Sequence, residues 1–280
     1  DFAFAIWDPR QRELFCARDH FGMRPLNYHY SPERRFVFAS DPRAILVLPQ
    51  VPYGINEGRI ADFLVPQLER IDYTSTFYGD IYRLPPGHKM TASMKGMEIT
   101  EYWKPVPGAE LPPLSDEEYA EGFLEVFTKS VAARLRAPPG TACSMLSGGI
   151  DSGSVTAVAR EILASRGRPP LPTYSAVQSD VSDCAETRSI QAAISMPSIA
   201  PNLIDLESIS DDLGSLITKN EEPYDAEMAM IQCISRAAEE DGHRVVLDGM
   251  SGDVVLAESS YIVRLIRSGR MGTAMTEIIA

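Results

Sequence analysis

The recurrence of apolar and polar positions divides the chain into two stretches of different grain. In the first hundred residues apolar positions come in short, weakly alternating runs. Residues 1–7 read as a buried strand, Asp8-Pro9-Arg10-Gln11 as a turn, and 13–17 as the returning strand of a hairpin. Residues 36–39 and 76–84 read as further strands, the second closed by Pro85-Pro86-Gly87-His88, and 101–103 as a last strand-like piece. Ser40 or Asp41 as cap with Pro42 in the first turn predicts one helix, and 56–65 a second. Four prolines and a glycine within 105–113 predict a linker.

From Ser115 onward the period changes. Ser115 and Glu118 form a capping box at the start of a helix whose face is marked by Tyr119, Phe123, Val126, Phe127 and Val131. Strands are predicted at 141–146, 171–177, 202–206 and 244–248. Helices are predicted after Gly149, with Val155, Val158, Ala159 and Ile162 on one face, and at 184–194, 211–219, 227–240 and about 258–266. In the helix at 227–240, Met228, Ile231, Ile234 and Ala238 face inward, and Glu221-Glu222-Pro223-Tyr224-Asp225 breaks the chain before it. Strands alternating with helices predict a doubly wound parallel sheet, in which ligands sit at the carboxyl ends of the strands. The expected organisation is an α+β unit over 1–104, a linker over 105–114 and a parallel α/β domain over 115–280.

Two glycine turns fall at such strand ends. Ser147-Gly148-Gly149-Ile150-Asp151-Ser152 leads from a strand into a helix, a geometry in which backbone N–H groups converge on an anion and the helix dipole adds attraction. Ser147 and Ser152 add hydroxyl donors. Asp151 repels a phosphate directly but suits Mg²⁺ bridging to one. No Gly-Lys-Ser/Thr ending follows, so this is not a Walker A loop. The second turn, 248–253, offers Asp253 as a candidate second Mg²⁺ ligand opposite Asp151, with Asp248 and Gly249 candidates to touch the same phosphorylated ligand. The plainer alternative is a glycine loop carrying a solvated aspartate.

Composition narrows the field. A net charge of −13 opposes broad nucleic-acid binding, and no apolar run approaches the ~20 residues of a membrane span. No signal peptide is visible. Cys16, Cys143, Cys184 and Cys233 form no Cys-x-x-Cys, which suits a reducing, cytoplasmic setting and buried, unreactive thiols. The chain opens on Asp1 and runs straight into strand-like sequence, as a fragment does.

The loop at 147–152 resembles the pyrophosphate loop of the ATP pyrophosphatases, which include asparagine, β-lactam, GMP and NAD synthetases. Arg18-Asp19-His20-Phe21-Gly22-Met23-Arg24-Pro25-Leu26 resembles the Arg-Asp-x-x-Gly-x-x-Pro-Leu signature of asparagine synthetases, and the opening Phe-Ala-Phe-Ala-Ile-Trp-Asp is similar to late strands of a class II glutamine amidotransferase domain. The resemblance implies an amidotransferase unit followed by an ATP-pyrophosphatase unit. It implies ATP and Mg²⁺ as cofactors, a carboxylate acceptor activated as an acyl-adenylate, and glutamine or ammonia as nitrogen source. The reaction so implied is asparagine synthesis from aspartate. Met145 and Val177 match positions that pack on adenosine, and a homodimer is left open.

Departures accompany it. The family's glutamine-cleaving nucleophile is an N-terminal cysteine; residue 1 is Asp, and Cys16, in mid-strand, has no free α-amine. The ammonia-forming centre is therefore expected outside these residues. The family's loop glutamate is Met250 and its serine is Asp248, and no lysine follows Asp253. Loss of an acidic group that positions an amine leaves room for a lasso-peptide or β-lactam type of cyclase, or for a nucleotide-binding protein without catalysis.

Overall fold

The computed structural model describes all residues except 32–34, 70, 107, 109, 110, 113, 178–184, 206–226, 254–260 and 280. The helix expected over 211–219 and the break at Glu221–Asp225 lie outside the described residues. The chain divides into two compact units, with one boundary between Leu111 and Pro112.

The first unit holds two antiparallel sheets. Strands β1 (Ala3–Asp8), β2 (Glu13–Arg18), β6 (His88–Ser93) and β7 (Gly96–Glu101) form one in that order. β4 (Arg35–Ala39), β3 (Asn27–Ser31) and the two-residue β5 (Tyr82–Arg83) form the other, and helices α1 (Pro42–Leu46), α2 (Glu57–Leu64) and α3 (Pro66–Glu69) lie between β4 and β5 in sequence. Cys16, Leu26, Tyr28, Leu84 and Met90 make the core. The first strand departs from expectation. It is an edge strand, and Ile6 and Trp7 are more than half exposed. The long strand expected over 76–84 shrinks to β5. Thr76 Oγ1 is committed to the carbonyls of Tyr78 and Ile81 at 3.0 and 2.8 Å, which curls the backbone out of strand geometry.

Adjacent opposite charges at Arg18 and Asp19 suggest structural ion pairs, but among the described residues both side chains bind backbone instead. Asp19 is buried, and its carboxylate accepts backbone N–H groups from Phe2, Phe21, Met23 and Arg24 at 3.0–3.2 Å. Arg18 donates to the carbonyls of Arg24, Leu84 and Gly22 at 2.9, 2.7 and 2.6 Å. The pair is a backbone clamp rather than a charge pair or an acid–base couple, and the His20 ring instead packs edge-on against Trp103 with centroids 4.8 Å apart. Burial raises the Asp19 carboxyl, but the four N–H donors together hold it below its ordinary 3.8. A depressed acid stabilises the fold above its unfolded value and loses that contribution as pH falls through its folded value. Asp19→Ala should therefore cost this unit about 3 kcal/mol at pH 7. The difference between variant and wild type should narrow below pH 4. Both tryptophans, Trp7 and Trp103, lie in this unit, so urea melts followed by their fluorescence report it selectively.

The second unit is the doubly wound sheet. Strands β8 (Ala142–Met145), β9 (Leu171–Val177), β10 (Ile199–Asp205) and β11 (Val245–Leu247) are parallel in the order β10-β9-β8-β11. Helices α4 (Asp116–Arg134) and α5 (Ile150–Ser165) cover one face through Val131, Leu135 and Ala159; α7 (Glu227–Glu240), which follows α6 (Ala185–Ala193), covers the other through Ile234 and Ala238 against Cys143, Met145 and Tyr174. Helices α8 (Tyr261–Arg267) and α9 (Met271–Ile279) follow. The antiparallel-then-parallel fold class read from the sequence is the one observed. The capping box at Ser115 and Glu118 is present with both of its hydrogen bonds. The face expected on α4 packs only from Phe127 onward. Tyr119, Phe123 and Val126 are exposed.

Chain order fixes where a ligand can enter. From β8 the chain moves outward through β9 to β10, then returns to the opposite side of β8 as β11. Order reverses between β8 and β11, and their carboxyl ends open on the crevice that doubly wound sheets use for ligands.

Candidate functional site

Both glycine turns leave the sheet at that reversal, the first from β8 and the second from β11. The register of Val245–Leu247 against Ala142–Ser144 brings them out side by side. Beneath them Ser144, fully buried, has Thr156 Oγ1 of α5 at 2.9 Å and the Leu247 carbonyl at 3.3 Å from its hydroxyl, which ties strand, helix and neighbouring strand together.

In the first turn Gly148 holds φ +77°, and a β-carbon there would fall 2.6 Å from the backbone of Ser189 and Ile190. Glycine at 148 thus lets the turn pack under α6. Gly149 is different. Its nearest neighbour would be Ser147 Oγ at 3.4 Å, so its missing side chain leaves space. Gly149 is also the N-cap of α5 and supplies no side-chain cap, so the first N–H groups of a 16-residue helix have no side-chain acceptor there. The Ser147 N–H donates to Ser152 Oγ at 3.2 Å, and the two hydroxyls lie 2.9 Å apart. Ser152 is buried and shapes the turn from within.

The second turn rests on the first. A β-carbon on Gly249 would strike the Ser152 backbone nitrogen and lie 2.7 Å from the Asp151 carbonyl carbon, and one on Gly252 would lie 2.5 Å from the Asp151 carboxylate. The Asp248 carboxylate accepts the Met250 N–H at 3.0 Å and so bends its own loop. Asp151 and Asp253 have no ion pair or side-chain hydrogen bond among the described residues.

A cavity of about 490 Å³ opens at this junction. From the first turn Met145, Ser147, Gly149, Asp151 and Ser152 line it; from the second, Asp248, Gly249 and Asp253. Gly148 and Val177, also singled out in the sequence, do not line it. β9 instead presents Tyr174, Ser175 and Ala176, and α7 presents Met230, Ile231 and Ile234. The apolar period of α7 marked Ile231 and Ile234 as inward; nothing in the sequence distinguished cavity wall from core. Tyr174 donates to Asp241 at 2.5 Å, and burial, followed by that hydrogen bond and the aspartate's charge, pushes its phenol up. Burial pushes the Cys143 thiol up to about 12 and the Cys16 thiol up to about 11, so neither is a nucleophile at neutral pH.

Three carboxylates and no cationic side chain line this cavity among the described residues. An anionic ligand is tolerable there only with a divalent cation between. The residues present fit that role, since Asp151 and Asp253 are hard oxygen donors without protein partners among the described residues. Among the described residues there is no group of three or more His, Cys, Asp or Glu placed to hold a metal. Any cation would therefore take its remaining ligands from elsewhere, as Mg²⁺ does with water and phosphate oxygens. No described helix is long and apolar enough to cross a membrane.

Comparison with known proteins is informative on this framework. Residues 1–103 match a glutamine amidotransferase domain. Among curated proteins, the chain is 32% identical over 62% of its length to an asparagine synthetase [glutamine-hydrolyzing] 3 of Bacillus subtilis, covering 28% of that protein. It is 28% identical over 90% of its length to asparagine synthetase [glutamine-hydrolyzing] 1 of the same organism, covering 38% of it. It is 30% identical over 58% of its length to the amidase chry2 of Gibberella zeae, covering 24% of it. The chain thus spans between about a quarter and two fifths of the length of these relatives. The profile of the asparagine synthase family matches residues 122–271, more than half of the sequence and both glycine turns, and the chain belongs to that family.

Proposed function

We propose that the second unit binds ATP with Mg²⁺ and activates a carboxylate for amide formation. The observation that carries this reading is the meeting, at the sheet's reversal point, of two glycine turns, each bearing an aspartate, Asp151 and Asp253, with no ion pair or side-chain hydrogen bond among the described residues. ATP use is supported by the family as a whole. The free N–H groups at the start of α5 suit phosphate oxygens, and Ala176, Met230 and Ile231 offer an apolar wall for the adenosine. Asp151 and Asp253 would hold Mg²⁺, which supplies charge neutralisation to the pyrophosphate.

In this reading a carboxylate oxygen of the substrate bonds to the α-phosphorus. The α–β anhydride bond breaks, and pyrophosphate leaves with the electron pair. A nitrogen nucleophile then bonds to the acyl carbon, AMP leaves with the carbon–oxygen pair, and the nitrogen's proton passes to solvent. The amide-forming nitrogen comes from glutamine, cleaved in an amidotransferase domain of which the first unit supplies part but not the nucleophile. Among the described residues no lysine lines the cavity to reach a γ-phosphate, which favours cleavage between α and β.

The test is product identity. Incubated with its carboxylate substrate and ATP labelled in the β and γ phosphates, the full-length protein should release labelled pyrophosphate and AMP. Labelled ADP would overturn the assignment.

A further inference from the structure

A second cavity, of about 370 Å³, lies on the α4–α5 side of the same two turns. Ile150, Asp151, Asp248, Gly249 and Met250 line both cavities, so the turns form a shared sill between them. Beyond the sill the wall is apolar but for Ser154. Phe123 and Phe127 stack with ring centroids 5.7 Å apart and planes at 12°, and Val155 completes that side. Phe123 is 51% exposed, Met250 49% and Ile150 87%, so this wall has no protein cover among the described residues. No lysine, arginine or histidine lines it among the described residues, and its charged groups, Asp151 and Asp248, are both acidic.

We infer that this second cavity receives the side chain of the carboxylate being activated, and that the side chain is apolar, with an aromatic ring the best fit. The inference rests on the nucleotide reading of the first cavity. A carboxyl group attacking the α-phosphorus must sit at the sill, and the rest of its molecule has the second cavity as its continuation. An aryl or branched alkyl group meets stacked phenyl rings and a thioether there, contacts favourable for aromatic ligands. A second carboxylate, as in aspartate, would meet two aspartates and, among the described residues, no cation, which desolvation and like-charge repulsion both oppose. Met250, at the sill, adds apolar surface rather than a group for an ammonium. The acceptor so inferred differs from the aspartate that family resemblance implies.

The experiment is ATP–pyrophosphate exchange by the full-length protein with 3-phenylpropionate and with succinate, the second replacing the ring by a carboxylate. The expected result is a kcat/KM at least tenfold higher for 3-phenylpropionate. Phe123→Ala should remove most of that preference through KM, and Phe123→Leu should restore part of it. Because Phe123 is exposed, neither change threatens the core. Succinate equal or better, or a preference untouched by Phe123→Ala, overturns the inference. Calorimetry with Mg·ATP on the same preparation separates the two levels. Binding together with succinate-driven exchange removes the inference alone, whereas absent binding, or exchange with neither acid, removes the adenylation reading and the inference with it.

Discussion

Asp151→Ala should lower pyrophosphate-releasing turnover at least 100-fold, the scale on which preorganised charge stabilisation acts in a transition state. Asp151 stands where the two turns touch, with Gly252 against its carboxylate and Gly249 against its backbone. It is half-buried, it has no protein counterion among the described residues, and it faces the space assigned to the phosphates. Removing it should also abolish the Mg²⁺ dependence of ATP binding, because the remaining carboxylates repel the polyphosphate without a cation between. Asp253→Asn should act differently. It lines the cavity from the far turn, and its share of the leaving-group charge grows as the α–β bond breaks, so kcat should fall more than nucleotide affinity. Calorimetry with and without Mg²⁺, paired with pyrophosphate release, measures both. Unchanged Mg²⁺-dependent affinity in Asp151→Ala would remove it as a metal ligand.

Gly148→Ala and Gly149→Ala should separate folding from binding within one turn. At 148 the backbone is left-handed, which costs a residue with a β-carbon about 1–2 kcal/mol. The new carbon would also press on the Ser189–Ile190 backbone at 2.6 Å, an overpacking of typically 1–3 kcal/mol. The second unit should lose about 2–5 kcal/mol in all, visible as a lower urea midpoint by circular dichroism. At 149 the backbone is extended, φ −76° and ψ 162°, and an added β-carbon would meet only Ser147 Oγ, at 3.4 Å. Alanine there should leave the midpoint nearly unchanged and weaken nucleotide binding instead. Equal midpoints for both variants would contradict the packing role of Gly148.

Much of this was legible because local signals and tertiary structure agreed. The capping box at Ser115, the alternation of apolar strands with amphipathic helices, and glycine turns at strand ends each follow from short-range chemistry, and each is present. What escaped the sequence was set by distant partners. β3 and β6 are strands because of what they pair with: Asn27–Ser31 with β4 and β5, and His88–Ser93 with β2 and β7. Residues 76–84 have strand-like composition, but the Thr76 hydroxyl bends them into turns. Arg18 and Asp19 look like an ion pair because their charges are adjacent. Their carbonyl and N–H partners come from Phe2 to Leu84 and are invisible to local reading. At the site, the aspartates could be read from loop chemistry. Tyr174 and Ala176 could not, because alternation on a strand buried on both faces does not say which residues end beside a cavity.

The bond from Ser144 to the Leu247 carbonyl joins residues 103 positions apart, yet β11 contributes only three residues to the ladder. A ligand touching both turns is therefore a removable cross-link that closes a long loop. By mass action, a ligand at a hundredfold excess over its dissociation constant adds about 2.7 kcal/mol to the folded state. On the proposed reading, substitutions that loosen β11 would be sheltered while nucleotide is abundant and exposed when it is scarce, so the supply of that ligand would help to set the lifetime of the protein.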